Sequence, residues 1–146
     1  LQRGLDRDKL QMDMLNSAKF LKSHELSTGK IGATGICWGS GAVNKLAVSL
    51  GADMQAGVPF YGAAAKSGVG NIQAPLMIQY AENDSRINAM RPDFEAALKS
   101  AGKKFEMHTY PGTKHGFHNN STPRYNKEAA QLAWDRTMAF FKKNLA

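Results

Sequence analysis

Gly35-Ile36-Cys37-Trp38-Gly39 places the only cysteine of the 146-residue chain between a segment typical of a strand and a segment typical of a helix. A side chain at the end of a strand is presented outward only by a very tight turn, and the residues two positions before and after it must be small for the backbones to approach. Gly35 and Gly39 meet this demand. The stretch predicts a strand-turn-helix elbow with Cys37 at its tip.

Apolar periodicity on both sides of the elbow predicts alternating strands and helices. The predicted helices cover residues 6–23, 42–50, 92–101 and 126–144, and the predicted strands cover residues 30–36, 54–60, 76–81 and 105–110. Because parallel strands need crossover helices, this order predicts an α/β fold, a three-layer sandwich with a mostly parallel sheet of about four strands flanked by helices. Two further expectations are that the strand over residues 30–36 is buried and that the last helix turns Trp134 toward the core.

Composition limits the classes of protein that this chain can represent. Residues 1–146 suffice for one domain, and no apolar run approaches the roughly 20 residues of a membrane span. The formal net charge is +7, but the basic residues are scattered and no basic stripe with interleaved aromatics appears, which argues against nucleic acid and leaves acidic substrates or partners as the alternative. A single cysteine cannot form an intrachain disulfide, so we expect a protein of the reducing cytoplasm with no membrane partner.

Three residues with complementary chemistry follow predicted strands. Cys37, Asp84 and His115 come in the chain order nucleophile, acid, base, which is the order of the α/β-hydrolase triad. A thiol attacks an acyl carbon well only as thiolate, and an adjacent imidazole can accept its proton and later activate water. The helix after the elbow would favour both the thiolate and an oxyanion, with the Trp38 backbone N–H as the first oxyanion donor.

Each of these residues also has a purely structural interpretation. A free cysteine is often a buried small hydrophobe, and a loop aspartate is usually a turn or cap residue. Among the four histidines, His24 lies at a helix end and His108 lies in the middle of a predicted strand, so His115 and His118 remain as candidates for the base. Their spacing lacks the carboxylate or cysteine cluster expected of a metal site, and we interpret His118 as a loop surface or site-rim residue.

Three motifs together resemble the dienelactone hydrolase family of α/β-hydrolases over nearly the whole chain. They are Gly-Ile-Cys-Trp-Gly-Ser-Gly at 35–41, Tyr-Ala-Glu-Asn-Asp at 80–84 and Tyr-Pro-Gly-Thr-Lys-His-Gly-Phe at 110–117. The resemblance implies Cys37 as nucleophile, Asp84 as acid and His115 as base in the hydrolysis of a small ester or lactone through a covalent thioester. It further implies that Tyr61 lines the substrate pocket, and it implies no metal or organic cofactor.

Two departures from the family pattern alter what the resemblance implies. Asn119 stands where better-known dienelactone enzymes carry an arginine that holds the substrate carboxylate, and Arg86 is the residue that could compensate. Dienelactone itself is therefore not the expected substrate.

The chain also resembles only the C-terminal part of family members, which usually run well past 200 residues. It starts at Leu1 rather than at methionine, so we expect it to lack its native N-terminal part, which in the family supplies the second oxyanion donor. The strand over residues 30–36 would then have an unpaired edge, which predicts self-association or pairing with an N-terminal fragment that completes the sheet.

The sequence leaves several functions open. The leading hypothesis is a cysteine-dependent hydrolase of small esters or lactones. The alternatives are a catalytically incomplete truncated or domain-swapped α/β module, a redox-sensitive protein with Cys37 as a regulatory thiol, and an acyl transferase.

Overall fold

Within residues 4–146, four parallel strands form a single sheet, in which they lie side by side in their order along the chain. The computed structural model describes residues 4–146. The strands are β1 (Gly32–Ile36), β2 (Ala56–Phe60), β3 (Leu76–Asn83) and β4 (Phe105–Lys114), and the helices are α1 (Arg7–Ser23), α2 (Trp38–Leu50), α3 (Ser85–Asn88), α4 (Arg91–Ser100) and α5 (Lys127–Leu145). The predicted α/β architecture with a parallel sheet is confirmed.

The sheet lies between two helical layers because its strands present apolar side chains on both faces. In β3, Leu76, Ile78 and Tyr80 belong to the core shared with α2 and α4, against which α1 also packs. Met77 and Ala81, on the opposite face, belong to the core shared with α5. The alternation follows from the two-residue period of a strand. Because the strands are parallel, their four carboxyl ends lie at the same end of the sheet.

Element boundaries differ from the prediction where strands meet the loops of the site. Helix α2 begins at Trp38, directly after the elbow, rather than at residue 42. Strand β3 runs to Asn83 and β4 runs through Pro111 to Lys114, although turn residues there predicted loops. Pairing of Asn83 with Lys114 extends both strands, and a local sequence signal cannot reveal such pairing.

The predicted burial of β1 is wrong. Its residues are intermediate or exposed, and the Ile36 side chain is 47% exposed. The reason is its position, since β2 is its only neighbour and no strand within residues 4–146 pairs with its outer edge. The last helix also differs, because Trp134 is 44% exposed while Ala130, Ala133 and Phe140 fill the core. No helix in the same range is both long and apolar enough to cross a bilayer.

Candidate active site

The elbow holds Cys37 in a backbone conformation that side-chain-bearing residues rarely adopt. Its φ is 58° and its ψ is −114°, and the next residue already starts α2. A Cβ added to Gly35 would lie 2.2 Å from the Gly39 carbonyl oxygen, so position 35 requires glycine. Apart from the backbone of its own helix, a Cβ added to Gly39 would meet no atom of residues 4–146 within 4 Å. The prediction that both flanking residues must be small is therefore right for Gly35 and wrong for Gly39.

A third glycine, which the sequence pattern did not predict as part of the elbow, completes the packing around it. A Cβ on Gly62 would lie 2.2 Å from the Cys37 carbonyl oxygen and 2.3 Å from the Ser40 Cβ. Ser40 itself is 1% exposed. The turn after β2 is thus pressed directly against the elbow. Its only signal in the sequence is a glycine directly after Tyr61 at the end of an apolar strand.

The structure brings Cys37, Asp84 and His115 into one chain of contacts. The His115 Nδ1 lies 2.5 Å from the Asp84 Oδ2, and the His115 Nε2 lies 3.0 Å from the Cys37 Sγ. With Asp84 ionised, Nδ1–H donates to the carboxylate and Nε2 faces the thiol as an acceptor. Each residue follows the carboxyl end of a different parallel strand. The geometry allows proton transfer between the thiol and the imidazole.

Asp84 is fixed from its other side by the start of α3. It is 7% exposed and caps this short helix, since its Oδ1 accepts from the Ile87 backbone N–H at 3.4 Å. One carboxylate oxygen of Asp84 therefore caps α3, and the other contacts the imidazole of His115. Both interpretations of Asp84 from the sequence, a cap residue and a partner of the histidine, describe its contacts.

Trp38 occupies the first position of α2. Backbone N–H groups in the first turn of a helix have no intrahelical acceptor, and the N-terminal end of a helix carries partial positive charge. Trp38 is the residue directly after Cys37, and its backbone N–H thus lies at the electropositive end of α2. The Trp38 side chain is 52% exposed beside the site.

Tyr61 packs beneath the histidine instead of lining the cavity. Its ring centroid lies 5.0 Å from that of His115 in an edge-to-face arrangement, and the residue is 1% exposed with a φ of 34°. Its hydroxyl has no hydrogen-bond partner of normal geometry within residues 4–146. Burial raises the pKa of Tyr61 to about 12, and a negative charge on Cys37 acts in the same direction. The predicted contact of Tyr61 with a substrate stays a prediction.

A cavity of about 360 Å³ opens next to Cys37, between α1, α2 and α3. Of the residues in the range 4–146 that line it, three are cations, namely Arg7, Lys45 and Arg86, and none is acidic. Within residues 4–146 these cations form no ion pair. A larger groove lies at the opposite end of the strands, next to Leu76 and Phe105, and is not lined by Cys37, Asp84 or His115. We assign the site to the smaller, positively charged cavity because it contains the thiol.

His118 lies away from the contact chain. Its ring packs 5.3 Å from Phe60 and 6.0 Å from Trp134, centroid to centroid, and burial lowers the pKa of the imidazole. His115 thus remains as the histidine next to the thiol. In the part of the chain that the structure covers, no three His, Cys, Asp or Glu side chains are grouped as metal ligands.

Comparisons with known proteins agree with this architecture. A sequence model described as the dienelactone hydrolase family matches residues 2–145. A protein of Saccharolobus solfataricus with the provisional name carboxymethylenebutenolidase is 33% identical over 143 residues, which are 95% of this chain and 55% of that protein. The crystal structure of a dienelactone hydrolase from Anabaena variabilis superposes with a TM-score of 0.80 at 20% identity, covering 98% of this chain and 64% of the other.

The relatives that match this chain are longer than the chain itself. The chain spans about half the length of the curated relatives that it matches first, with 55%, 44% and 42% of their lengths covered. At 20% identity, the similarity to the Anabaena structure shows the fold alone. The family model, however, covers nearly all of the chain, from residue 2 to residue 145. This chain belongs to the dienelactone hydrolase family.

Proposed function

We propose that this chain carries the catalytic residues of a hydrolase that cleaves small carboxylic esters or lactones, with Cys37 as nucleophile, His115 as base and Asp84 as the acid that orients the base. The observation that carries the proposal is the continuous contact from the Asp84 carboxylate through the imidazole to the thiol, 2.5 Å and 3.0 Å long. A carboxylate on one ring nitrogen and a nucleophile on the other is the arrangement that covalent acyl transfer requires.

The proposed reaction has two halves with one shared base. His115 Nε2 takes the proton of the Cys37 thiol, and the thiolate forms a bond to the acyl carbon while the carbonyl oxygen becomes an oxyanion. The oxyanion accepts from the Trp38 backbone N–H. As the carbon–oxygen bond of the ester breaks, the imidazolium gives its proton to the departing oxygen and a thioester remains. Water then loses a proton to His115, attacks the thioester and releases the acid and the thiol.

The cavity beside the thiol favours an anionic substrate. Arg86, Lys45 and Arg7 line it, and the described lining residues include no carboxylate, so a substrate carboxylate would neutralise part of this charge. The name of the Saccharolobus relative points to a substrate with a carboxymethylene group. We therefore propose a small ester or lactone that carries a carboxylate, with Arg86 as one of its binding residues. A free thiol nucleophile also suits the reducing cytoplasm.

A second oxyanion donor would come from a further polypeptide segment paired with β1. One backbone donor at Trp38 leaves the oxyanion with a single partner from the elbow, whereas acyl-transfer enzymes ordinarily use two. The outer edge of β1 adjoins the elbow, and because no strand among residues 4–146 pairs with it, this edge offers backbone groups for pairing. We propose that an N-terminal half, or a second copy of this chain, pairs with this edge and supplies the second donor.

The test is acylation of Cys37 followed by stopped flow and by intact mass, with p-nitrophenyl acetate as substrate. We expect a burst of p-nitrophenol equal to the protein concentration, an acetyl adduct on Cys37, and loss of both in Cys37→Ala. Cys37→Ser is the matched variant, since it retains a smaller nucleophile at the same position. Unchanged p-nitrophenol release by Cys37→Ala would overturn the triad. A burst without turnover would support the catalytically incomplete module over the hydrolase.

A further inference from the structure

A β-bulge lies directly before the proposed base. The pairing of β3 with β4 runs evenly up to Ala81 opposite Tyr110 and resumes with Asn83 opposite Lys114. One residue of β3, Glu82, therefore stands opposite the three residues 111–113 of β4. The bulge changes the direction in which β4 leaves the sheet, and His115 is the first residue after the strand.

The side chain of Glu82 holds this bulge at its centre. Its Oε2 accepts from the Gly112 backbone N–H at 2.8 Å, at a residue with a φ of 69°. This contact joins a side chain on β3 to the one residue of the bulge that needs glycine. Thr113, buried at 2% exposure, donates its hydroxyl to the Tyr110 carbonyl at 2.7 Å and closes the bulge from inside.

The backbone of Glu82 is itself held by α3. The Asn88 side-chain amide donates to the Ala81 carbonyl and to the Glu82 carbonyl, both at 2.9 Å. Asn88 is the last residue of the short helix that Asp84 caps. The end of β3, the cap of α3 and the bulge of β4 are consequently joined through Glu82. Asp84 lies two residues after Glu82, and His115 lies three residues after Gly112.

We propose that Glu82 is a positioning residue for the reaction, which sets the place of His115 relative to both Asp84 and Cys37 by fixing the Gly112 N–H. This proposal rests on the proposed function of the three residues. Imidazole must satisfy two short contacts at once, and displacement by a fraction of an ångström lengthens one of them. Glu82 is exposed, so water can solvate the Gly112 N–H when the carboxylate is removed. We therefore expect the fold to persist while the loop that carries His115 occupies a wider range of positions.

Glu82→Ala and Glu82→Gln separate the hydrogen bond from the charge. Alanine removes the acceptor, and we expect the acylation rate constant of Cys37 to fall about tenfold with an unchanged KM and an unchanged urea midpoint. Glutamine keeps a carbonyl oxygen as acceptor, and we expect a rate within about twofold of the wild type. Glu106→Ala is the matched control, because Glu106 is an exposed glutamate of β4 whose side chain contacts His108 and not the bulge.

A spectroscopic readout distinguishes positioning from a general structural role. The proton between His115 Nδ1 and Asp84 should give a far-downfield proton resonance in the wild type, which broadens or disappears in Glu82→Ala and persists in Glu82→Gln. Wild-type acylation and an intact resonance in Glu82→Ala would overturn the proposal. Equal losses in Glu82→Gln or in Glu106→Ala would overturn it too, because charge would then be the cause. If His115→Ala acylates like the wild type, the proposed function fails together with this inference.

Discussion

Cys37 and Tyr61 are each the first residue after a strand, each has a positive φ, and both lie at the proposed site. Such backbone conformations cost about 1–3 kcal/mol each and persist only where surrounding contacts enforce them. Here the enforcing contacts are close approaches of backbone at Gly35 and Gly62. The site is thus shaped by residues that have no side chain, in addition to the three residues that are proposed to carry the chemistry.

The two glycines that flank Cys37 should respond differently to the same substitution. We expect Gly35→Ala to lower the free energy of unfolding by about 2 kcal/mol or more, because its Cβ would stand 2.2 Å from a backbone oxygen. Gly39→Ala adds a methyl group in open space on a helix, so it should stay within about 1 kcal/mol of the wild type, on the stabilising side. Urea unfolding followed by circular dichroism measures both. Equal destabilisation would contradict the asymmetry.

Burial of Tyr61 predicts a loss of stability in alkali. Its pKa is about 12 in the folded chain against an ordinary value of 10.0, so between these two pH values the unfolded chain releases a proton that the folded chain retains. The free energy of unfolding therefore falls as the pH rises through this window. Tyr61→Phe should be nearly neutral at pH 7, since the hydroxyl has no hydrogen-bond partner of normal geometry among the described residues, and should weaken the alkaline decline.

Urea midpoints measured from pH 9 to pH 12 test this expectation. Tyr80→Phe is the matched variant, because burial also raises the pKa of Tyr80 to about 12, and the decline should weaken there too. A decline of unchanged size in both variants would mean that other groups cause it.

At the scale of elements, β1 is the strand with the least support. In the described part of the chain it pairs on one side only and its burial is partial, and yet the elbow directly follows it. Sequence patterns predicted all four strands and their parallel order, because apolar runs and crossover helices are local features. They failed to predict the exposure of β1 and the extension of β4 through Pro111, since both depend on which strand lies alongside.

The free edge of β1 predicts association that a charge at the edge suppresses. Ile36 is 47% exposed there, and we expect Ile36→Lys to shift light-scattering mass toward the monomer, because charged edges resist strand pairing. Leu26→Lys is the matched control, since Leu26 is 87% exposed and lies outside the strands. Far-ultraviolet circular dichroism checks that both variants fold. A wild-type chain that is monomeric at all concentrations would contradict self-association through this edge.

At the scale of the whole molecule, the formal net charge of +7 and the cations of the site act together. Long-range attraction raises the encounter rate of an anionic substrate and is screened by salt. We expect kcat/KM for a carboxylate-bearing p-nitrophenyl ester to fall about threefold or more between 0.05 and 0.5 M NaCl, while a neutral ester of similar size changes little.

Removal of one cation locates the effect. Arg86→Gln should raise KM for the anionic ester about threefold and leave the neutral ester unaffected, because an exposed ion pair contributes up to about 1 kcal/mol. Lys142→Gln, at the far end of α5, is the control with the same change in net charge. Equal effects of both substitutions would assign the selectivity to net charge and not to the cavity.

The sequence by itself determined the α/β order of elements, the elbow at Cys37 and the order of thiol, carboxylate and imidazole, because these follow from local periodicity and from the rule that carboxyl ends of parallel strands share one edge. Only the tertiary structure decided that His115 reaches a thiol 78 residues away at 3.0 Å, that Gly62 presses on the elbow, and that Glu82 holds the bulge. These are contacts between distant segments. Their geometry depends on strand register and on backbone direction, which no single segment encodes.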